Sequence, residues 1–167
     1  ASDVYKRQII GCGNIGSIVA DRAHGLKMKV IAFDPFLTPE RAIDLGVEKV
    51  ELDDLLKRAH LISQHTPLTD ATRGILNAEA FAQMKEGIRI VNCARGGLID
   101  EEALKDALLS GQVAGAALDV FATEPAKDSP LFGLPNLIAT PHLGASTMEA
   151  QENVAIQVAE QISDYLL

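Results

Sequence analysis

The sequence predicts an α/β domain built on a doubly wound parallel sheet with helices on both faces. Short apolar runs alternate with longer amphipathic stretches, the pattern of strands joined by crossover helices. A glycine-rich string follows the first apolar run and opens the first helical stretch. No repeat, low-complexity tract or linker breaks the alternation, so the 167 residues form one domain long enough to bury a core.

The apolar runs lie at 8–10, 30–33, 60–63, 88–91, 115–118 and 137–139, and each predicts a strand. Helices are expected between and after them at 15–26, 39–46, 52–58, 77–83, 100–110 and 146–166. The first follows glycines at a strand end. At the second, Thr38 sets a capping hydroxyl before Pro39 at the first helical position. Asp100, Glu101 and Glu102 place anions where the helix dipole favours them. Ser146-Thr147-Met148-Glu149 reads as a capping box opening the last helix. Residues 1–8 read poorly as the start of a buried strand and are set aside as a non-native leader, leaving 9–167 as the domain. The pattern at 161–167 shows no terminator, as expected of a fragment of a longer chain.

Composition excludes several classes. The chain is 47% hydrophobic and 23% charged, ordinary for a soluble globular protein. A net charge of -8 without a Lys/Arg cluster argues against a nucleic-acid partner and against docking on an anionic membrane. No apolar run approaches the roughly 20 residues of a membrane span. The two cysteines, Cys12 and Cys93, both lie in glycine-containing strings, which suggests no disulfide framework and a cytoplasmic setting. No metal site is expected.

Gly11-Cys12-Gly13-Asn14-Ile15-Gly16 has the spacing of a dinucleotide fingerprint. Gly11 would permit the strand-to-helix turn, Gly13 the approach of a pyrophosphate, and Gly16 close packing of helix on sheet. Asp34 follows Gly16 by 18 residues, at the end of the next strand, where an acid accepts hydrogen bonds from the adenosine ribose. A carboxylate there repels a 2′-phosphate, and Pro35 and Phe36 offer no cation to offset it, so NAD is favoured over NADP. The fold class sharpens to a Rossmann-like sheet.

Downstream stand Arg95 in Asn92-Cys93-Ala94-Arg95-Gly96-Gly97, Glu124 before Pro125, and His142 in Thr140-Pro141-His142-Leu143-Gly144. Dehydrogenating a 2-hydroxy acid needs a cation for the carboxylate, an imidazole for the hydroxyl proton and an anion to orient that imidazole. Arg95 suits the first task through its planar fork of donors. His142 suits the second because imidazole titrates near neutrality. Glu124 suits the third. The blander alternatives are a loop-capping Arg95 and a solvated Glu124. Of the other histidines, His24 reads as solvated on a helix and His60 as packing at a strand edge. His65 could line an adenosine pocket or simply pack.

At these motifs the chain resembles the D-isomer-specific 2-hydroxyacid dehydrogenases. Three stretches carry the likeness: Val91 to Gly97, Leu118-Asp119-Val120-Phe121 with Glu124-Pro125, and Thr140 to Asn153. The resemblance covers residues 9–167 as the family's nucleotide-binding domain and is nearest to the branch that oxidises 3-phospho-D-glycerate. It implies catalytic roles for Arg95, Glu124 and His142. It also implies NAD contacts from Asn14, Ile15, Asp34, Thr66, Cys93, Ala94 and Asp119, the last holding the nicotinamide carboxamide. Leu143, Gly144 and Ala145 would continue the nicotinamide wall, and Cys93 would be a buried wall residue rather than a nucleophile. A second, substrate-binding domain is implied outside this chain, as is a homodimer or homotetramer. Alternative expectations are a hydroxypyruvate or glyoxylate reductase of the same family, and an NAD-sensing regulator with this fold. Without its second domain the isolated chain is expected to be inactive.

Overall fold

The computed structural model describes residues 6–144 and 146–166. Its strands form a single parallel sheet in the order β3-β2-β1-β4-β5-β6-β7. In chain order the elements are β1 (Lys6–Ile10), α1 (Asn14–Gly25), β2 (Lys29–Phe33), α2 (Pro39–Asp44), β3 (Glu48–Lys49), α3 (Leu52–Arg58) and β4 (Leu61–Gln64). Then come α4 (Ala78–Gln83), β5 (Ile88–Asn92), α5 (Glu101–Ser110), β6 (Val113–Leu118), β7 (Leu137–Ala139) and α6 (Met148–Leu166). The chain winds outward from β1 to β3, returns to β4 and winds the other way. The direction reverses between β1 and β4, where open α/β sheets form a ligand crevice beyond their carboxyl ends.

Burial explains the central strands. Ile9 and Ile10 are both fully buried although they point to opposite faces. Fully parallel sheets require this two-sided cover. On one face Ile10, Ile31, Ile62 and Ile90 pack with Leu55 and Leu56 of α3, Phe81 of α4 and Leu104 of α5. On the other, Ile9, Val30 and Ala32 lie with Ala20 and Ala23 of α1 and Ala42 of α2. The alternation of Val30, Ile31 and Ala32 between the two clusters is the period of two of an extended chain.

The elements match the sequence expectations, with four differences. β1 begins at Lys6, inside the segment set aside as a leader. Gln8, fully buried, fits there because its Oε1 accepts the His60 and Leu61 N–H groups at 3.1 and 3.4 Å. β3 was not anticipated; it is two exposed residues pairing with Ile31 and Ala32, too short to leave a periodic trace. The last helix is capped by Thr147, whose hydroxyl accepts the Ala150 N–H at 3.1 Å, while Ser146 donates to the His142 carbonyl. Finally, α6 has no buried residue. The second face is helix-covered over β1 and β2, but the cross-strand row continuing through Val91 and Ala117 ends at Ile138, which is 68% exposed.

Candidate active site

Each candidate residue follows a strand, so the sheet delivers them all to its carboxyl edge. Gly11 ends β1 in a left-handed conformation (φ 89°), and its N–H donates to the Phe33 carbonyl at 2.9 Å. A Cβ there would stand 2.7 Å from the His65 carbonyl carbon, so only glycine lets β1 and β4 leave the sheet this close together. Gly16 faces the same turn, and a Cβ on it would overlap the Gly11 carbonyl oxygen. Gly13 is different: a Cβ there would meet nothing within 4 Å. Open space therefore lies over the N-terminus of α1, which has no side-chain cap and no acidic residue in its first turn. Asn14 and Ile15 are exposed beside it.

Asp34 binds this turn directly. Its Oδ2 accepts the Cys12 N–H at 2.7 Å and its Oδ1 accepts the Phe36 N–H at 2.8 Å. A carboxylate has about four acceptor positions, so capacity remains for ribose hydroxyls. Across the crevice the Thr66 hydroxyl is buried with no protein partner among the described residues. An anion-ready helix end, an unobstructed glycine, a spare carboxylate and an orphaned hydroxyl together fit a dinucleotide. His65 packs its Nε2 on the Ser63 hydroxyl at 2.8 Å, and burial, with Arg7 nearby, pushes its pKa down to about 4.

On the other side of the switch point, His142 and Glu124 are joined. His142 Nδ1 lies 2.6 Å from Glu124 Oε2, while Glu124 Oε1 accepts the Phe121 N–H at 3.0 Å. The His142 bond, then the Phe121 amide, hold the Glu124 carboxyl below its ordinary range. With Nδ1 engaged, Nε2 is the ring nitrogen left to exchange a proton. Arg95 makes no hydrogen bond or ion pair with either partner among the described residues. It is exposed, with Nη1 donating to the Ala94 carbonyl at 2.6 Å, and no carboxylate among the described residues pairs with it. Its loop nonetheless rests on theirs, since a Cβ on Gly96 would overlap the Phe121 carbonyl oxygen.

This arrangement can be compared with known proteins. Residues 5–144 match the family described as D-isomer specific 2-hydroxyacid dehydrogenase, NAD binding domain. The chain belongs to that family, as its NAD-binding domain. It is 55% identical over 166 residues to D-3-phosphoglycerate dehydrogenase of Bacillus subtilis, covering 98% of this chain and 32% of that protein. The chain thus spans about a third of the length of the curated relatives it matches. Among solved structures it is similar to a glyoxylate reductase from Paecilomyes thermophila, with a TM-score of 0.87 and 38% identity, covering 95% of this chain and 48% of that one. It is also similar to D-lactate dehydrogenase from Aquifex aeolicus complexed with NAD and lactic acid, with a TM-score of 0.85 and 30% identity, covering 97% and 53%.

Within this NAD-binding domain, several residues do work that the sequence did not disclose. Asp119 is buried, and its Oδ1 accepts Thr140 Oγ1 at 2.5 Å and the Leu143 N–H at 2.8 Å; its Oδ2 accepts the Gly144 N–H at 3.0 Å. These bonds flank His142, whose backbone is left-handed at φ 56°. Asn92 shapes the Arg95 loop, accepting the Ala94 N–H and donating to the Arg95 carbonyl, each at 3.0 Å. Cys93 is exposed rather than buried, because it lies one residue past β5 where little packs over it. Partial shielding of its sulfur, then Asp119, push the thiol up. His24 is not freely solvated: its Nε2 lies 3.2 Å from the Leu45 carbonyl oxygen. His60, at the strand edge as expected, has its Nε2 3.2 Å from Lys85 Nζ. Ala145 lies outside the described residues. Asn92 and Asp119 stand at strand ends within the motif strings, but no local pattern names these hydrogen-bond partners.

Proposed function

We propose that this chain is the cofactor-binding and catalytic domain of an enzyme oxidising 3-phospho-D-glycerate to 3-phosphooxypyruvate, the opening step of serine biosynthesis. Substrate-binding segments would come from outside these residues. The Glu124–His142 pair at 2.6 Å carries the reading, because it leaves a single imidazole nitrogen available for proton exchange. The choice of substrate is supported by 55% identity to a phosphoglycerate dehydrogenase, against 38% to a glyoxylate reductase.

His142 Nε2 takes the C2 hydroxyl proton, and Glu124, held ionised, stabilises the imidazolium. Arg95 grips the substrate carboxylate and the emerging carbonyl oxygen through paired N–H donors. Bound NAD would supply the acceptor for the C2 hydride. Gly11, Gly13, Asn14, Ile15 and Gly16 would hold its pyrophosphate, and Asp34 and Thr66 its adenosine end. Cys93, Ala94, Arg95, Asp119, His142, Leu143, Gly144 and Ala145 would line its nicotinamide end. The working form would be a cytoplasmic homodimer or homotetramer. No described helix is long and apolar enough to cross a membrane.

Steady-state assay of the full-length protein tests this. It should turn over 3-phospho-D-glycerate with NAD at a higher kcat/KM than D-lactate or D-glycerate, and the 167-residue chain alone should bind NADH without turnover. Activity on glyoxylate or hydroxypyruvate alone would overturn the substrate, and NADH binding without any turnover would point to a regulator. His142→Ala should abolish turnover and leave NADH affinity nearly unchanged; retained turnover would refute its role as the proton acceptor.

A further inference from the structure

We infer that Glu101 is a positioning residue for the proton-transfer pair, acting through the segment that bears Glu124; this rests on the dehydrogenase reading above. Glu101 opens α5, directly after the N-cap Asp100. Asp100 already caps that helix by accepting the Ala103 N–H at 3.1 Å, so the Glu101 carboxylate is released from capping. It reaches instead across to the loop after β6. Its Oε1 accepts the Ala122 N–H at 2.7 Å and its Oε2 accepts the Ser129 hydroxyl at 2.9 Å. Ser129 Oγ in turn accepts the N–H of Leu131, a fully buried core residue, at 3.4 Å.

One carboxylate therefore grips the 122–129 segment at both ends, with Glu124 between the grips. The segment needs such a brace because 122–125, 127 and 128 are exposed and gain little from packing. Neighbouring amides are divided between two glutamates: Phe121 N–H serves Glu124 and Ala122 N–H serves Glu101. Glu101 is itself fixed, because Leu104, Ala107 and Leu108 of the same helix lie in the core. Gly96 rests against the Phe121 carbonyl, so the Arg95 loop takes its height from the same segment. Glu101 thus carries the rigidity of the core to both halves of the site without touching substrate.

The test compares Glu101→Ala, Glu101→Gln and Ser129→Ala in the full-length protein. Misplacing a catalytic group by about 1 Å lowers rate by up to roughly 100-fold, so Glu101→Ala should lower kcat roughly 10- to 100-fold while leaving NADH affinity unchanged. Glutamine keeps an acceptor for Ala122 and can donate to Ser129 Oγ, so Glu101→Gln should recover most of the rate. Ser129→Ala, which cuts one grip, should fall between. The pH midpoint of kcat reports the acid–base group in the bound complex; it should move in Glu101→Ala and return in Glu101→Gln. Variants that melt earlier but keep wild-type kcat and pH midpoint would show a purely structural residue and overturn the inference. If Glu101→Ala does not fold, wild-type kcat in Ser129→Ala overturns it instead. Nitrogen NMR of the His142 ring separates the two readings. A wild-type protein that oxidises no hydroxy acid defeats the dehydrogenase assignment, whereas an unchanged Nδ1 signal in Glu101→Ala defeats the positioning.

Discussion

Replacing Asp119 with alanine should release the His142 loop. Three hydrogen bonds end on this buried carboxylate, from Thr140, Leu143 and Gly144. A hydrogen bond to a charged group contributes about 1.5–3 kcal/mol net. Leu143 and Gly144 are exposed, so their amides regain water when released, and about 2–4 kcal/mol is the reasonable sum for the three. Opposing it is the left-handed backbone of His142 at φ 56°, which for a residue with a Cβ costs about 1–2 kcal/mol. The clamp outweighs the strain, and removing it reverses that balance. At tenfold per 1.4 kcal/mol, the loop's closed-to-open ratio should fall roughly 30- to 700-fold. Native-state amide exchange at Leu143 and Gly144 measures this directly. Protection within about threefold of wild type would refute the reasoning, since this is less than 1 kcal/mol. The pH dependence has a definite sign. Burial pushes the Asp119 carboxyl up, but the bonds from Thr140, Leu143 and Gly144, with His142 nearby, outweigh it and leave the carboxyl below its ordinary range. A folded-state pKa that is depressed gives stability that is complete at neutral pH and lost as pH falls through the lowered value. The clamp should therefore hold through mild acid and fail only below the usual aspartate range.

The glycine turn offers a paired test. Gly13→Ala meets no atom within 4 Å and should leave the melting temperature unchanged while weakening NAD binding, because its methyl enters the space read as the pyrophosphate's. Gly16→Ala drives a methyl into the Gly11 carbonyl and should destabilise the fold by about 1–3 kcal/mol; equal melting temperatures for the two would defeat the distinction. At Asp34, serine should raise the NADP-to-NAD affinity ratio by about tenfold or more, the equivalent of 1.4 kcal/mol. Titration of both dinucleotides by fluorescence gives the ratio, and no change in it rules out the selectivity role.

The fold was legible because its signals are local. Apolar alternation placed the six longer strands, and Thr38 and Asp100 cap where their side-chain chemistry requires. The two-residue β3 left no periodicity to read. Glu101 was legible only as an anion suited to a helix dipole; its partners lie 21 and 28 residues away, a separation that no local pattern encodes. Cys93 was expected to be buried because the family resemblance implied a place in the nicotinamide wall, yet exposure depends on what packs above the sheet edge.

By itself the sequence determined the order and type of the principal elements, the glycine turn, and the placement of Arg95, Glu124 and His142 after strands. Those features follow from residue type and short-range spacing. Only the tertiary structure decided that Glu124 meets His142 at 2.6 Å while Arg95 stays apart, that Asp119 holds a left-handed His142, and that Glu101 and Gly96 set the height of the loops between them. These depend on how far apart strand ends lie in a twisted sheet and on which loops fill the space above it, distances that exist only once the core has packed.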